Sequence, residues 1–302
     1  MQSSFLTAKL WKLGLALLAG SSLTANIDPS YNYVWGSNSG WIDGLSGDGR
    51  GVQIGLFYLS GYAWSPNTGW IYFGNGSPEN GYAYRNVDNT DFGVSVVGIG
   101  EDGTLLMRGF AWSPNTGWML FEEIGNPRID PIQGAILGYI WSPNMGWITL
   151  GDALNHGWEV GYLPTGEDTD GDGIPDPFEY MYAGTINLLN ETGDADGDGV
   201  LDPDEYLADT DPLDPGSRLR IVGYHVSSNG QDVRLQFTSS PSRIYRIRGS
   251  NDLSSNPMTW PEDGPGIVNP DIGTDITAIE FSQRTPANAH FHVVEPLLSL
   301  PE

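Results

Sequence analysis

Two acidic segments of this chain have a spacing suited to metal chemistry. They read DTDGDGIPDPFE at 168–179 and DADGDGVLDPDE at 194–205. Each has aspartate at positions 1, 3, 5 and 9, glycine at position 6 and glutamate at position 12. Because Ca²⁺ takes six to eight oxygen ligands at about 2.3–2.6 Å, a chain can surround it only where glycine permits a sharp turn. The spacing therefore predicts two calcium-binding loops of twelve residues each.

The predicted ligands occupy equivalent positions in the two loops. Position 7 would contribute its backbone carbonyl, and the glutamate at position 12 would close the shell with both carboxylate oxygens. An acidic run is also typical of a disordered linker, but a linker does not predict two copies in the same register. The first site is predicted from Asp168, Asp170, Asp172, Ile174, Asp176 and Glu179, and the second from Asp194, Asp196, Asp198, Val200, Asp202 and Glu205. Whether Asp209, Asp211 and Asp214 complete a third shell is open at this point.

The segment before the first loop, VGYLPTGE, contains Pro and Gly instead of the amphipathic helix that a true EF-hand pair requires. Residues 164–216 resemble the loop-then-helix calcium repeats of dockerins and of thrombospondin type 3-like modules in bacterial secreted proteins. The resemblance rests on DTDGDGIPD, DADGDGVLD and EYLADTDPLDP. It implies EF-hand-like loops in which the glutamate begins a short helix, here within FEYMYAG and DEYLADT.

Composition restricts the classes of partner and the location of the chain. The 302 residues include no cysteine and carry a net charge of −25, which disfavours binding to nucleic acid or anionic lipid. Without disulfides, bound calcium would be an alternative means of stabilising a small module. A signal peptide is predicted over residues 1–25, because Lys9 and Lys12 precede an apolar run and the small-residue stretch SSLTA. The mature protein is therefore expected to be secreted, either extracellular or in the cell envelope, without a membrane anchor.

A Trp-x5-Trp unit occurs four times in the first half of the chain. Its first tryptophan lies at positions 35, 64, 112 and 141, at intervals of 29, 48 and 29 residues, which indicates a duplicated pair. In the copies at 63–70 and 111–118, AWSPNTGW, the SPNTG stretch is turn chemistry between strand-forming residues. We therefore predict an antiparallel β domain over 26–163, with a sandwich and a propeller both open.

The repeated tryptophans have two interpretations. Large aromatics at one repeated strand position are usually core or cross-strand packing, and this is the reading we favour. An exposed row of the same rings would instead provide a stacking platform for sugars. The unit resembles WSxNxGW segments of bacterial secreted proteins of unknown function, and this resemblance implies no activity.

The C-terminal region also has β character. QDVRLQFTS at 231–239 alternates apolar and polar residues, and we predict a β-sandwich-like domain over 217–302. It resembles the small accessory β domain that follows EYLAGTDPLDP-type segments in bacterial secreted proteins, on the basis of IYRIRGSNDLSS and Trp260. His290 and His292 share one strand face and could bind zinc, but the sequence identifies no third ligand, so ordinary strand histidines are expected.

The sequence thus predicts a mainly β protein with three parts and no enzymatic activity, since no catalytic pattern stands out. These parts are the Trp-repeat domain, the calcium module at 164–216 and the C-terminal domain. The expected function is a calcium-stiffened spacer with a structural or adhesive role, with calcium and a polysaccharide, cell-surface or matrix component as partners. Carbohydrate binding through the aromatic faces is the alternative, and a glycoside or other hydrolase is a more remote one.

Overall fold

The computed structural model describes residues 26–46, 50–152, 157–228, 230–282 and 290–300. The predicted signal peptide lies outside the described residues. The described chain is mainly β, and its strands pair antiparallel. Neither of the two short helices among the described residues has the length and apolar character needed to cross a membrane.

Each Trp-x5-Trp unit forms a β-hairpin. Within each hairpin the two tryptophans are direct cross-strand partners. The strands of this region are β1 (Tyr33–Gly36), β2 (Gly40–Asp43), β3 (Gln53–Ile54), β4 (Leu59–Ser60), β5 (Tyr62–Ser65), β6 (Gly69–Tyr72), β7 (Val94–Ile99), β8 (Leu105–Ser113), β9 (Gly117–Phe121), β10 (Arg128–Ile129), β11 (Ile136–Ser142) and β12 (Gly146–Gly151).

The four hairpins close into an eight-stranded antiparallel barrel. Strand β1 pairs with β2 on one side and with β12 on the other, so the first hairpin meets the last. The remaining neighbours are β2/β5, β6/β8 and β9/β11. Strands β7 and β10 each pair with β8, and β3 pairs with β4. The region is thus neither a sandwich nor a propeller, because pairing between the first and last hairpins removes the free edges.

The barrel interior is filled by apolar side chains, at least one from each strand, because alternate residues of a strand point to opposite faces. An eight-stranded barrel has room only for side chains, and two of these are alanine. The buried residues include Val34, Ile42, Ala63, Ile71, Ala111, Met119, Ile140 and Ile148.

The tryptophans of the repeat lie on the outer surface of the barrel. Seven of the eight are 37 to 61% exposed, and Trp70 is half-buried beneath the Arg50 guanidinium. Core packing, one part of the favoured interpretation, is therefore wrong, whereas the cross-strand pairing of the two tryptophans in each hairpin is observed. Alternation places the tryptophans on the face opposite Ala63 and Ile71, but alternation alone does not say which face is inside.

The hairpin turns are joined to one another in a ring at one end of the barrel. The side-chain amide of the turn asparagine donates to a backbone carbonyl of the neighbouring turn, at 2.9 to 3.0 Å. The glycine two residues later has a φ of +71° to +79°, a conformation that favours glycine. The donor and acceptor pairs are Asn38 and Met145, Asn67 and Ser39, Asn115 and Thr68, and Asn144 and Thr116.

Two short helices follow the acidic loops, α1 (Asp176–Tyr182) and α2 (Asp202–Ala208). They coincide with the FEYMYAG and DEYLADT segments. Each helix begins at position 9 of its loop, three residues earlier than the resemblance implied, because Pro177 and Pro203 favour the first turn of a helix. The glutamate of position 12 therefore lies within the first turn instead of starting it.

The C-terminal strands form two three-stranded sheets, ordered β13-β14-β17 and β16-β15-β18, that share one apolar core. Strand β14 buries Val233, Leu235 and Phe237, as the alternation predicted. The core also includes Tyr245 and Ile247 of β15. The strands are β13 (Ile221–Val226), β14 (Asp232–Thr238), β15 (Arg243–Ser250), β16 (Glu262–Val268), β17 (Ile276–Ser282) and β18 (Phe291–Leu298).

Candidate metal centre

The two acidic loops fold in the same way and each gathers three aspartates. One carboxylate oxygen from each of Asp168, Asp170 and Asp172 lies within 4.8 Å of the other two. The equivalent residues of the second loop, Asp194, Asp196 and Asp198, form a matching cluster. Positions 1, 3 and 5 are thus brought together in both loops.

The first aspartate of each loop shapes the backbone around the cluster. Asp168 accepts hydrogen bonds from the amides of Gly171 and Gly173, at 2.7 and 3.0 Å. Asp194 accepts the equivalent bonds from Gly197 and Gly199, at 2.8 and 3.0 Å. The glycine at position 6 has a φ of about +93° in both copies, which explains why glycine is required there.

The aspartate at position 9 contacts the loop backbone. Asp176 accepts from the amide and hydroxyl of Thr169, and Asp202 accepts from the amides of Ala195 and Asn190. Neither residue is among the three clustered oxygens of its loop. These carboxylates hold the loop in shape in the described structure.

The glutamates at position 12 are the most unusual groups of the module. Glu179 and Glu205 are both fully buried, with 0% exposure. Both carboxylate oxygens of Glu179 and one of Glu205 have no hydrogen-bond partner. Burying a charged carboxylate without a partner is costly, so such a group is either protonated or balanced by an ion of opposite charge.

The surroundings of the two glutamates explain why their protonation is favoured when no cation is present. Burial raises the pKa of Glu179 to about 8, and the negative charges of Asp172 and Asp170 act in the same direction. Burial likewise raises the pKa of Glu205 to about 7, with Asp196 and Asp198 adding to the effect. Both glutamates therefore lie within the electrostatic field of their aspartate clusters.

Position 7 attaches the first loop to an apolar core. The Ile174 amide donates to Asp172 Oδ1 at 2.9 Å, and its buried side chain packs with Phe178, Leu189 and Tyr206. Val200 makes the equivalent amide bond to Asp198 and is half-buried. Backbone carbonyls at these positions are the predicted seventh-position ligands.

The same core reaches the barrel. Phe57, in the loop between β3 and β4, packs in the cluster with Ile174 and Phe178. The ring of Tyr180 in α1 lies against Gly81, where a Cβ atom would come within 2.1 Å of it. The first acidic loop is therefore fixed to the barrel through α1.

The second loop is fixed to the C-terminal sheets by two arginines. Arg243, which is 1% exposed, donates to the carbonyls of Tyr206 and Leu207 at the end of α2, at 2.8 and 2.9 Å. Arg218 lies 3.2 Å from the Asp198 carboxylate. Neither arginine could be identified from the sequence, because each contact joins residues at least 20 positions apart.

The acidic residues after α2 do not gather as a third cluster among the residues that the structure describes. Asp209 accepts hydrogen bonds from the hydroxyls of Ser240 and Ser242, both at 2.5 Å. Asp211 and Asp214 accept from backbone amides of the turn that follows them. Each of these three aspartates thus has its own partners, and they do not form a third shell together.

The donor set of the two loops fits calcium. Clustered carboxylates, an unpartnered buried glutamate and nearby backbone carbonyls supply only oxygen, which Ca²⁺ prefers to other donor atoms. Comparison with known proteins found no family model that matches the chain, and no curated protein or solved structure with significant similarity to it.

Proposed function

We propose that this chain is a secreted, non-enzymatic calcium-binding protein whose two loops join a Trp-repeat barrel to a C-terminal, sandwich-like β domain. The role of such a joint is structural or adhesive. The observation that carries the proposal is the fully buried Glu179 carboxylate with no hydrogen-bond partner, beside three converging aspartates. A bound Ca²⁺ satisfies all of these groups at once.

The energetic effect of calcium follows from mass action. Extracellular sites of this kind bind with a Kd of about 0.1–1 mM. At about 1 mM calcium, a site with a Kd of about 0.1 mM adds roughly 1.4 kcal/mol to the free energy of unfolding. Two such sites would add enough to keep a module of about 50 residues folded, since a segment of this size has a marginal core.

Calorimetric titration of the full chain with calcium tests the proposal. Two equivalents are expected for the unaltered protein and one for each of Glu179→Gln and Glu205→Gln. Glu191→Gln, which changes an exposed acid between the two loops, is the matched control and should retain both sites. Absence of binding heat at millimolar calcium, or two full sites in both position-12 variants, would contradict the proposal.

Carbohydrate binding is a second candidate, supported by a groove beside one exposed tryptophan. Trp118, Phe92 and Phe110 line this groove together with polar residues of the 86–89 loop, and its volume is about 230 Å³. Flat aromatic faces next to amide and carboxylate groups suit a sugar, which has an apolar face and a polar edge.

Tryptophan fluorescence during titration with polysaccharides tests this candidate. Trp118→Ala should abolish the response, and Trp41→Ala should keep it, because Trp41 occupies the equivalent repeat position without lining this groove. An unchanged response in Trp118→Ala would exclude the groove. Because Trp118 lies on the outer surface, the circular dichroism of the barrel should be retained in both variants.

A further inference from the structure

A cluster of two histidines and one aspartate lies in the C-terminal sheets, far along the chain from the acidic loops. Asp263 is on β16, His292 is on β18, and His290 immediately precedes β18. Strand β15 runs between these two strands, and its Gly249 is the direct cross-strand partner of His292. The sheet therefore brings the Asp263 carboxylate together with two imidazoles that lie 27 and 29 residues after it in the sequence.

The three side chains converge on one point inside the protein. The Nε2 atoms of His290 and His292 lie 2.5 and 3.1 Å from the same oxygen, Asp263 Oδ2. The side chains of Asp263, His290 and His292 are only 3, 8 and 0% exposed. Asp263 is thus the third candidate ligand that the sequence did not identify.

The outer nitrogens of both rings have oxygen partners. His292 Nδ1 lies 3.1 Å from the Tyr224 hydroxyl, and His290 Nδ1 contacts the Asn251 side-chain oxygen. Histidines that bind metals typically use one ring nitrogen for the ion and hydrogen-bond the other to an oxygen, which fixes the tautomer and the ring orientation. Both rings of this cluster have that arrangement.

The contact with Asn251 sets the tautomer of His290. An amide oxygen is only an acceptor, so His290 Nδ1 must carry a proton to bond Asn251. In a neutral imidazole the Nε2 atom is then a lone pair, and it faces a carboxylate oxygen. A single divalent ion placed between the three groups satisfies both Nε2 atoms and the carboxylate together.

Gly249 provides the space for this cluster. A Cβ atom at this position would lie 2.6 Å from His290 Nε2 and 2.7 Å from Asp263 Oδ2. Gly249 has no left-handed φ, so the backbone conformation does not itself require glycine. The lack of a side chain on the central strand is what allows the two flanking strands to place their ligands over it.

We propose that Asp263, His290 and His292 bind one divalent transition-metal ion of the zinc class, at a site separate from the calcium loops. Two imidazole nitrogens and one carboxylate oxygen form a donor set that suits Zn²⁺ and similar ions, whereas Ca²⁺ takes oxygen. Three protein ligands leave one coordination position of a tetrahedral ion for water.

The test uses the full chain saturated with calcium, so that the acidic loops do not take up the probe. Co²⁺ is titrated and followed by visible absorption, and Zn²⁺ is then added to displace it. The expected result is one equivalent of Co²⁺ with the absorption of a tetrahedral complex, lost on addition of Zn²⁺. His290→Gln and His292→Gln should each weaken binding by about 100-fold or more.

His225→Gln is the matched control, because His225 lies on exposed β13 outside the cluster and its replacement should leave Co²⁺ binding unchanged. Gly249→Ala tests the geometry without altering a ligand and should also abolish binding. The proposal is overturned if the folded, unaltered chain takes up no Co²⁺ or Zn²⁺. It is equally overturned if the double variant His290→Gln/His292→Gln, or Gly249→Ala, binds as the unaltered chain does.

Discussion

At the scale of single residues, buried carboxylates of this protein differ in how their charge is balanced. Asp209 faces the Arg243 guanidinium, 3.8 Å away, and two serine hydroxyls. Among the described residues, no basic side chain forms an ion pair with Glu179 or Glu205. The first arrangement is complete within the chain, whereas the second is neutralised only by protonation or, as we propose, by a bound cation.

The Asp209 site predicts a specific pH dependence. Burial alone would raise the pKa of Asp209, but Arg243, Ser240 and Ser242 outweigh it and hold this pKa below the ordinary value of 3.8. Because the folded-state pKa is lowered, the stabilisation is present above about pH 3.8 and is lost as the pH falls through the folded-state pKa. Asp209→Asn should therefore cost about 1–3 kcal/mol near neutral pH and much less in acid.

Urea unfolding of the calcium-loaded chain at several pH values would measure this difference. Asp275→Asn, an exposed substitution in the same unit, is the control and should be neutral. An Asp209→Asn variant as stable as the unaltered protein at pH 7 would show that the Arg243 pairing contributes nothing.

At the scale of elements, the asparagine ring explains how four separate hairpins become one barrel. Each asparagine bonds the neighbouring turn, and adjacent hairpins share only one or two backbone pairs in register, such as Tyr72 with Trp112 and Asp43 with Trp64. Because backbone pairing between hairpins is this sparse, the asparagine side-chain hydrogen bonds make up a large share of the polar contacts between neighbouring hairpins. The asparagine and the glycine that recur in all four turns therefore contribute to closing the barrel.

Asn115→Ala should destabilise the barrel by about 1 kcal/mol, because the Thr68 carbonyl loses its 3.0 Å amide donor and keeps only the Ser113 hydroxyl at 3.2 Å. Gly69→Ala should cost more, since Gly69 has a φ of +73° and its Cβ atom would lie 2.8 Å from the Asn115 amide nitrogen. Denaturation followed by tryptophan fluorescence reports directly on the barrel. Asn89→Ala, in an exposed loop, is the control; equal stability of all three variants would contradict this role for the turns.

The elements also show which features could be predicted from the sequence. The two aspartate clusters could be predicted because their members lie within five residues of one another. Barrel closure was not, because it depends on pairing between Trp35 and Thr149, over 100 positions apart. The outward position of the tryptophans was the less favoured interpretation because large aromatics normally fill cores, whereas this narrow barrel accepts Ala63 and Ala111 inside. Asp263 could not be assigned to the histidines without knowing which strands flank β15.

At the scale of the whole molecule, the acidic-loop module packs against both β units instead of forming an extended spacer, and Leu300 of the C-terminal unit also packs against the barrel core directly. A continuous set of contacts runs from Phe57 of the barrel to Phe178 of α1, then to Tyr206 of α2 and to Arg243 of β15. The Phe178 and Tyr206 rings meet edge to face, with centroids 5.2 Å apart. The helix that follows the first acidic loop contacts the barrel, and the helix that follows the second contacts the C-terminal sheets.

Loss of calcium should therefore loosen both junctions, and loss of one site should loosen mainly its own. The Leu56 amide, bonded to the Pro164 carbonyl at 2.9 Å, reports on the barrel junction. Asp209 accepts hydrogen bonds from the side-chain hydroxyls of Ser240 and Ser242, so the backbone amides of the non-proline residues in 240–243 report on the C-terminal junction. Glu179→Gln should accelerate hydrogen exchange chiefly at Leu56, and Glu205→Gln chiefly at 240–243, whereas a chelator should accelerate both. Exchange that stays the same at both junctions with calcium, with chelator and in the two variants would mean that calcium does not hold the β units together.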